Sequence, residues 1–173
     1  MRALFAAFAL TVPMLAQAAL PVGAPAPDFT TAGAIGGKQF SFSLAGALKK
    51  GPVVLYFFPA AFTSGCTIEA RQFALASDDF KKAGATLIGV AADPIDKLAK
   101  FSIEECRNKF AVGVASPAMI KGYDVKLPVM ARSNRTSYVI GKNGRIAFVY
   151  SAMAPDGHVS GTLAAVRALK PLK

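Results

Sequence analysis

Two apolar, β-rich runs set the limits on what this chain can fold into. They are Val53-Val54-Leu55-Tyr56-Phe57-Phe58 and Thr86-Leu87-Ile88-Gly89-Val90-Ala91. The first is bounded by Gly51-Pro52 and by Pro59, and a short apolar run between such breakers reads as a buried strand. Between the two, Phe73, Ala76, Phe80 and Ala83 recur at three- and four-residue spacing, and Gly84 follows. That is the pattern and the stop signal of a helix over Thr67 to Ala83. Strand, helix and strand in this order imply a right-handed parallel crossover.

The rest of the chain extends this unit. Leu20 to Phe29 holds Pro21, Pro25 and Pro27, which forbid a helix and predict an extended lead-in. Phe29 to Phe42 reads as a hairpin turning at Gly36-Gly37. A short helix or loop over Ser43 to Lys49 ends at Lys50-Gly51-Pro52. Asp93-Pro94 predicts a helix start, with Asp93 as the cap. Ile95, Leu98, Ala99 and Ile103 form its apolar stripe, and Cys106 falls on the same stripe. Phe110 to Ala115 is predicted as a strand and Ser116 to Tyr123 as a brief helix closed by Gly122. After a loop over Val125 to Asn134, the runs Thr136–Ile140 and Arg145–Tyr150 flank Asn143-Gly144, a hairpin signal. Val159, Leu163, Val166 and Leu169 predict a last helix against the sheet. There is no repeat or linker, and 173 residues suffice for one domain with a substantial core. The expected architecture is α/β, a central mixed sheet flanked by helices.

The N-terminus reads differently. Met1-Arg2 is followed by an apolar stretch to Ala16, and Ala16-Gln17-Ala18 fits a small-x-small cleavage site. This is the pattern of a cleaved secretory signal peptide over residues 1–18, leaving residues 19–173 as a single domain. The stretch is short for a bilayer span, so an uncleaved anchor is the weaker alternative. A periplasmic or secreted location follows, with no stable membrane association. The net charge of +10 is spread along the chain without a basic run, so it reads as a solvated surface and not as a nucleic-acid site.

The chemistry concentrates in Pro59-Ala60-Ala61-Phe62-Thr63-Ser64-Gly65-Cys66-Thr67-Ile68-Glu69-Ala70. Cys66 is expected in the first turn of a helix just after a core strand. Unpaired N–H groups and the helix dipole there favour an anion, and the thiolate is the nucleophilic form of cysteine. Thr63 lies within reach of the same turn, where its hydroxyl can donate to the thiolate or to a bound oxygen. Pro59 ends the strand and helps to wall the pocket. The plain alternative is an inert core cysteine.

The spacing Pro59-x-x-x-Thr63-x-x-Cys66 resembles the active-site signature of the peroxiredoxins. Its continuation through Phe73 resembles the peroxiredoxin Q (bacterioferritin comigratory protein) branch. Gly23-x-x-Ala-Pro-x-Phe29 is similar to the start of that domain, and the match runs from about Val22 to the last helix. The resemblance implies a thioredoxin-like fold and a thiol peroxidase acting on hydrogen peroxide or organic hydroperoxides. It implies that Cys66 is oxidised to a sulfenic acid and that Cys106 resolves it as a disulfide. The subtype with a resolving cysteine five residues after the first is excluded, because Arg71 stands there. Arg135, opening Arg-Thr-Ser-Tyr-Val-Ile, matches the site arginine that holds the thiolate and the peroxide, with Arg132 as a nearby competitor. Glu69 is a candidate to orient Arg135. His158, the one histidine, is not placed beside Cys66 by the sequence.

A disulfide demands Cα atoms within about 7 Å, so the helix end carrying Cys106 has to unwind. No metal and no organic cofactor are expected. The expected partners are the peroxide and a thioredoxin-like reductant protein, and the expected state is a monomer, with a dimer as the alternative. Three rivals stay open. One is an exported thiol–disulfide oxidoreductase, disfavoured by the missing Cys-x-x-Cys. Another is a one-cysteine peroxidase with Cys106 structural. The third is a non-enzymatic domain with a plain structural bridge.

Overall fold

The computed structural model describes residues 19–169, so the expected signal stretch lies outside the described residues. Seven strands form one mixed sheet in the order β2-β1-β5-β4-β3-β6-β7. The strands are β1 (Thr30–Ile35), β2 (Lys38–Ser43), β3 (Val53–Phe57), β4 (Thr86–Ala91), β5 (Ala111–Val114), β6 (Thr136–Ile140) and β7 (Ile146–Ser151). The helices are α1 (Leu44–Leu48), α2 (Ser64–Lys82), α3 (Ile95–Glu104), α4 (Pro117–Gly122) and α5 (His158–Ala168). Among the described residues no helix is long and apolar enough to cross a membrane.

The two apolar runs are the central parallel pair, with Val53 beside Thr86 and Phe57 beside Val90. All of β3 is buried, as expected of a strand covered on both faces. Val53, Leu55 and Phe57 feed one core cluster with Leu44, Ile120 and Tyr123. Val54, Tyr56 and Phe58 feed the other with Phe73, Phe80, Leu98 and Phe101. Each such side chain, fully buried, contributes about 1.5–3 kcal/mol. The alternation holds only because Gly89 faces Tyr56. A Cβ at Gly89 would lie 2.4 Å from that ring.

The hairpin turns at Gly36-Gly37, both with positive φ, between Ile35 and its partner Lys38. The proline-rich lead-in holds no helix, but it turns at Val22-Gly23, where Ala24 N donates to the Pro21 carbonyl at 3.2 Å, and it is pinned to β7 by Gly23 N donating to the Ile146 carbonyl at 2.7 Å.

The segment around α3 departs from the sequence reading. Pro94 is the N-cap and the helix starts at Ile95. Asp93 is buried and spends its oxygens on other groups, described below. Ile103 is 47% exposed, and Phe101 takes the core position. The cause is length, since α3 ends at Glu104 and presents Leu98, Phe101 and Ser102 inward. Cys106 therefore lies beyond the helix and not on its stripe. Its N–H reaches back to the Phe101 carbonyl at 3.1 Å, and Arg107 and Asn108 follow in left-handed conformations.

Candidate active site

The β3 strand delivers the chain to Pro59, and α2 begins at Ser64, three residues earlier than its apolar periodicity indicates. The connecting loop turns sharply at Phe62, whose φ is 68°. A bulky residue in this region is strained, and such strain is held only where surrounding contacts impose it. Here the Phe62 ring packs edge-on to Phe101 at 5.2 Å. Ala61 N donates to Asp93 Oδ2 at 2.8 Å. Asp93 also takes Lys97 Nζ at 2.8 Å and lies 3.7 Å from Arg132. The acid expected to cap α3 instead braces the loop before Cys66.

Cys66 is the third residue of α2, so its backbone N–H falls among the unpaired donors of the first turn. It is 2% exposed. Arg135 immediately precedes β6, which runs antiparallel to β3 with Phe57 opposite Thr136. That register sets Arg135 just past the C-terminal end of β3. Its Nη2 donates to Cys66 Sγ at 3.5 Å, its Nε to the Met153 carbonyl at 2.9 Å, and its Nη1 to Glu69 Oε2. Burial alone works against the Arg135 charge, but Glu69 and Cys66 raise its pKa above the ordinary arginine value. Gly65 makes room for this approach, because a Cβ there would sit 3.0 Å from Arg135 Nη2.

Of the expected site residues, Cys66 and Arg135 meet directly. The competitor Arg132 donates instead to the Pro59 carbonyl at 2.9 Å. Thr63 is the N-cap of α2, but its exposed hydroxyl donates to the Ala60 carbonyl at 3.0 Å and not to the thiol. Pro59 is half-buried at the loop entrance. Cys66 and Cys106 are both free thiols within the same core cluster. Cys106 is fully buried, and burial, helped by Glu105, pushes its thiol far above the ordinary range.

The sequence reading missed His158. It opens α5, is fully buried, and its Nδ1 lies 3.6 Å from Glu69 Oε1. Nδ1 also meets Ser137 Oγ at 2.8 Å, and Nε2 meets the Ala152 carbonyl at 3.0 Å. A lone histidine at the start of a helix, with no local partner, was the available signal. Tyr56 was missed too. It is buried against Phe73 at 4.4 Å, and its hydroxyl has no hydrogen-bond partner among the described residues. Burial first, then Cys106, Glu69 and Cys66, hold that phenol neutral.

The sequence and the fold that carry this site match known proteins. The sequence model of the AhpC/TSA family covers residues 22–149. The chain belongs to the AhpC/TSA family. It is a peroxiredoxin, an enzyme of the thioredoxin-dependent peroxidase class. It is 32% identical to the chloroplastic peroxiredoxin Q of Oryza sativa subsp. japonica, over 93% of this chain and 80% of that protein. The crystal structure of peroxidoxin BcpB from Mycobacterium tuberculosis superposes with a TM-score of 0.77 at 30% identity, covering 86% of this chain and 97% of that one. The reduced Plasmodium vivax 2-Cys peroxiredoxin gives 0.75 at 23% identity, covering 85% and 94%, which speaks for the fold alone.

Proposed function

We propose that this peroxiredoxin reduces hydrogen peroxide or organic hydroperoxides by an intramolecular two-cysteine cycle. The observation that carries the reading is Arg135 Nη2 at 3.5 Å from a Cys66 Sγ held in the first turn of α2. The Cys66 thiolate attacks one peroxide oxygen, and the O–O bond breaks. The sulfur becomes a sulfenic acid, and the leaving oxygen takes a proton and departs as water or an alcohol. Arg135 and the N–H of Cys66 face the charge that develops on those oxygens. The Thr63 hydroxyl, exposed at the loop mouth, supplies a further polar contact.

Cys106 then attacks the sulfenic sulfur, expelling water and leaving a disulfide. A buried thiol held this far from ionisation reacts only after its segment opens. The turn after α3, with two left-handed residues in succession, supports that step. A dithiol protein of the thioredoxin type takes up the disulfide by exchange. The apolar N-terminal stretch supports export, in which case the reductant resides outside the cytoplasm.

The test is one equivalent of hydrogen peroxide added to the reduced protein, followed by mass mapping without reductant. A Cys66–Cys106 bridge is expected, replaced in Cys106→Ser by sulfenic or over-oxidised Cys66. Oxidised Cys66 beside a free Cys106 thiol would leave a one-cysteine peroxidase. Reaction no faster than that of free cysteine would refute the proposal.

A further inference from the structure

Glu69 uses one oxygen on Arg135, while the other, Oε1, has no hydrogen-bond partner among the described residues. A buried carboxylate oxygen left unmet bears its full desolvation penalty. The atom nearest to meeting it is His158 Nδ1 at 3.6 Å. The hydrogen bonds of the ring fix its tautomer. A carbonyl only accepts, so the 3.0 Å contact to the Ala152 carbonyl places a hydrogen on Nε2. In the neutral ring Nδ1 is then the acceptor, and the Ser137 hydroxyl at 2.8 Å and a protonated Glu69 Oε1 are the two groups that can donate to its single lone pair. Two lone-pair atoms, Nδ1 and Oε1, thus face each other across a gap that one proton fills.

The charges around this gap explain why a proton belongs there. Arg135, just before β6, is permanently positive. Glu69 and Cys66 share α2, Tyr56 from β3 stays neutral, and Tyr150 from β7 packs edge-on to the His158 ring at 4.8 Å. The Arg167–Asp79 pair joins α5 to α2 on the surface. With Cys66 as a thiol, Arg135 and an ionised Glu69 balance. With Cys66 as a thiolate, two anions compete for one guanidinium in a buried site. A proton held between Glu69 and His158 removes one of those anions and leaves Arg135 to the sulfur.

We propose that Glu69 and His158 act as a positioning pair that keeps one proton between them when Cys66 ionises, so that the buried cluster stays neutral. The inference rests on Cys66 being the peroxidatic thiol. The proton lost by Sγ leaves to solvent, the pair keeps its own, and no bond other than to hydrogen changes. Burial pushes the Glu69 carboxyl up to about 8, while burial, with Arg135 also opposing charge, pushes His158 down. The proton therefore sits mainly on Glu69 and is directed at Nδ1.

The test uses untagged protein in a Cys106→Ser background, where Cys66 is the one remaining thiol. Thiolate absorbance at 240 nm is followed against pH without peroxide. His158→Gln, which cannot share the proton, is expected to move the midpoint up by about one pH unit, roughly tenfold less thiolate at a fixed pH below it. In a Glu69→Gln background, with the competing anion gone, the same change is expected to leave the midpoint in place. An unmoved midpoint in the first case, or an equal shift in both, overturns the pairing.

A second readout needs no change at His158. It is the chain's single histidine, so its ring nitrogen resonances are resolved by labelling alone. The Nδ1 resonance is expected to move as Cys66 ionises and to lose that step in Cys66→Ser. Identical curves in the two proteins overturn the proposal. Failure of the peroxidase reading shows separately, as a slow reaction of the same preparations with peroxide.

Discussion

Replacing Arg71 by alanine is expected to speed the step that joins Cys106 to oxidised Cys66. Arg71 lies on α2, and its Nε donates to Glu105 Oε2 at 2.7 Å. Glu105 is the C-cap of α3 and the immediate neighbour of Cys106, so this ion pair fastens the resolving segment to the helix bearing Cys66. The Arg71 side chain is 51% exposed, against 11% for Glu105. Solvent therefore screens the attraction itself to about 1 kcal/mol or less. Removing the arginine also leaves a mostly buried carboxylate without its partner, which adds about 1 kcal/mol against the closed segment. A combined loss of about 1–2 kcal/mol raises the population of the opened segment roughly 5- to 30-fold. Where opening precedes bond formation, the disulfide rate rises in the same proportion. The assay mixes reduced protein with one equivalent of hydrogen peroxide and quenches it with an alkylating agent at intervals. Mass spectrometry then counts free thiols. A melting temperature lowered by a few degrees would accompany the effect. A disulfide rate equal to or below that of the unsubstituted protein, with the fold intact, would refute the reasoning.

Other expectations follow from single contacts. Gly65→Ala puts a methyl against Arg135 Nη2, a flexible side-chain end. Stability should hold while the oxidation rate of Cys66 falls on the order of tenfold or more, as stopped-flow measurement would show. Gly89→Ala drives a Cβ into the Tyr56 ring within a fully buried strand pair, and a denaturant melt should show a loss of about 1–3 kcal/mol or more. The Glu69 carboxyl is raised by burial from 4.5 to about 8, so the folded state holds its proton more tightly than the unfolded chain. Its contribution to stability is complete below about pH 4.5 and is lost as pH rises through about 8. Glu69→Gln should flatten the decline in stability across that window, read as urea midpoints at several pH values.

The parts legible in the sequence are those encoded locally. The β3–α2–β4 unit shows itself through two apolar runs and a helical period between them. Cys66 at the start of a helix follows from where Pro59 ends the strand. Arg135 was legible only through its pattern, because the register that brings it to Cys66 depends on β6 lying antiparallel beside β3. His158 and Glu69 meet through the packing of α5 on α2, which neither segment records alone. Asp93 reads as a cap by type and position. Its use as an acceptor for Ala61 N depends on the loop before α2 folding back over it. Cys106 looks helical by spacing, but periodicity does not say where a helix stops. No glycine follows Glu104 to mark the end.

The route by which Arg135 arrives has a bearing on redesign. Residues 126–133 form an excursion closed on itself by the Lys126–Ser133 bridge and by Leu127 N donating to the Arg132 carbonyl at 3.0 Å. It leaves Val129 and Met130 exposed at its tip. The Ser133 hydroxyl then clips the chain to the Phe58 carbonyl at 3.1 Å, before Arg135 is reached. Foreign residues grafted over 128–131, short of the Arg132 that holds the Pro59 carbonyl, would leave the guanidinium where it is. The excursion is thus a replaceable cassette on an invariant socket, and its length and polarity can be varied independently of the chemistry at Cys66.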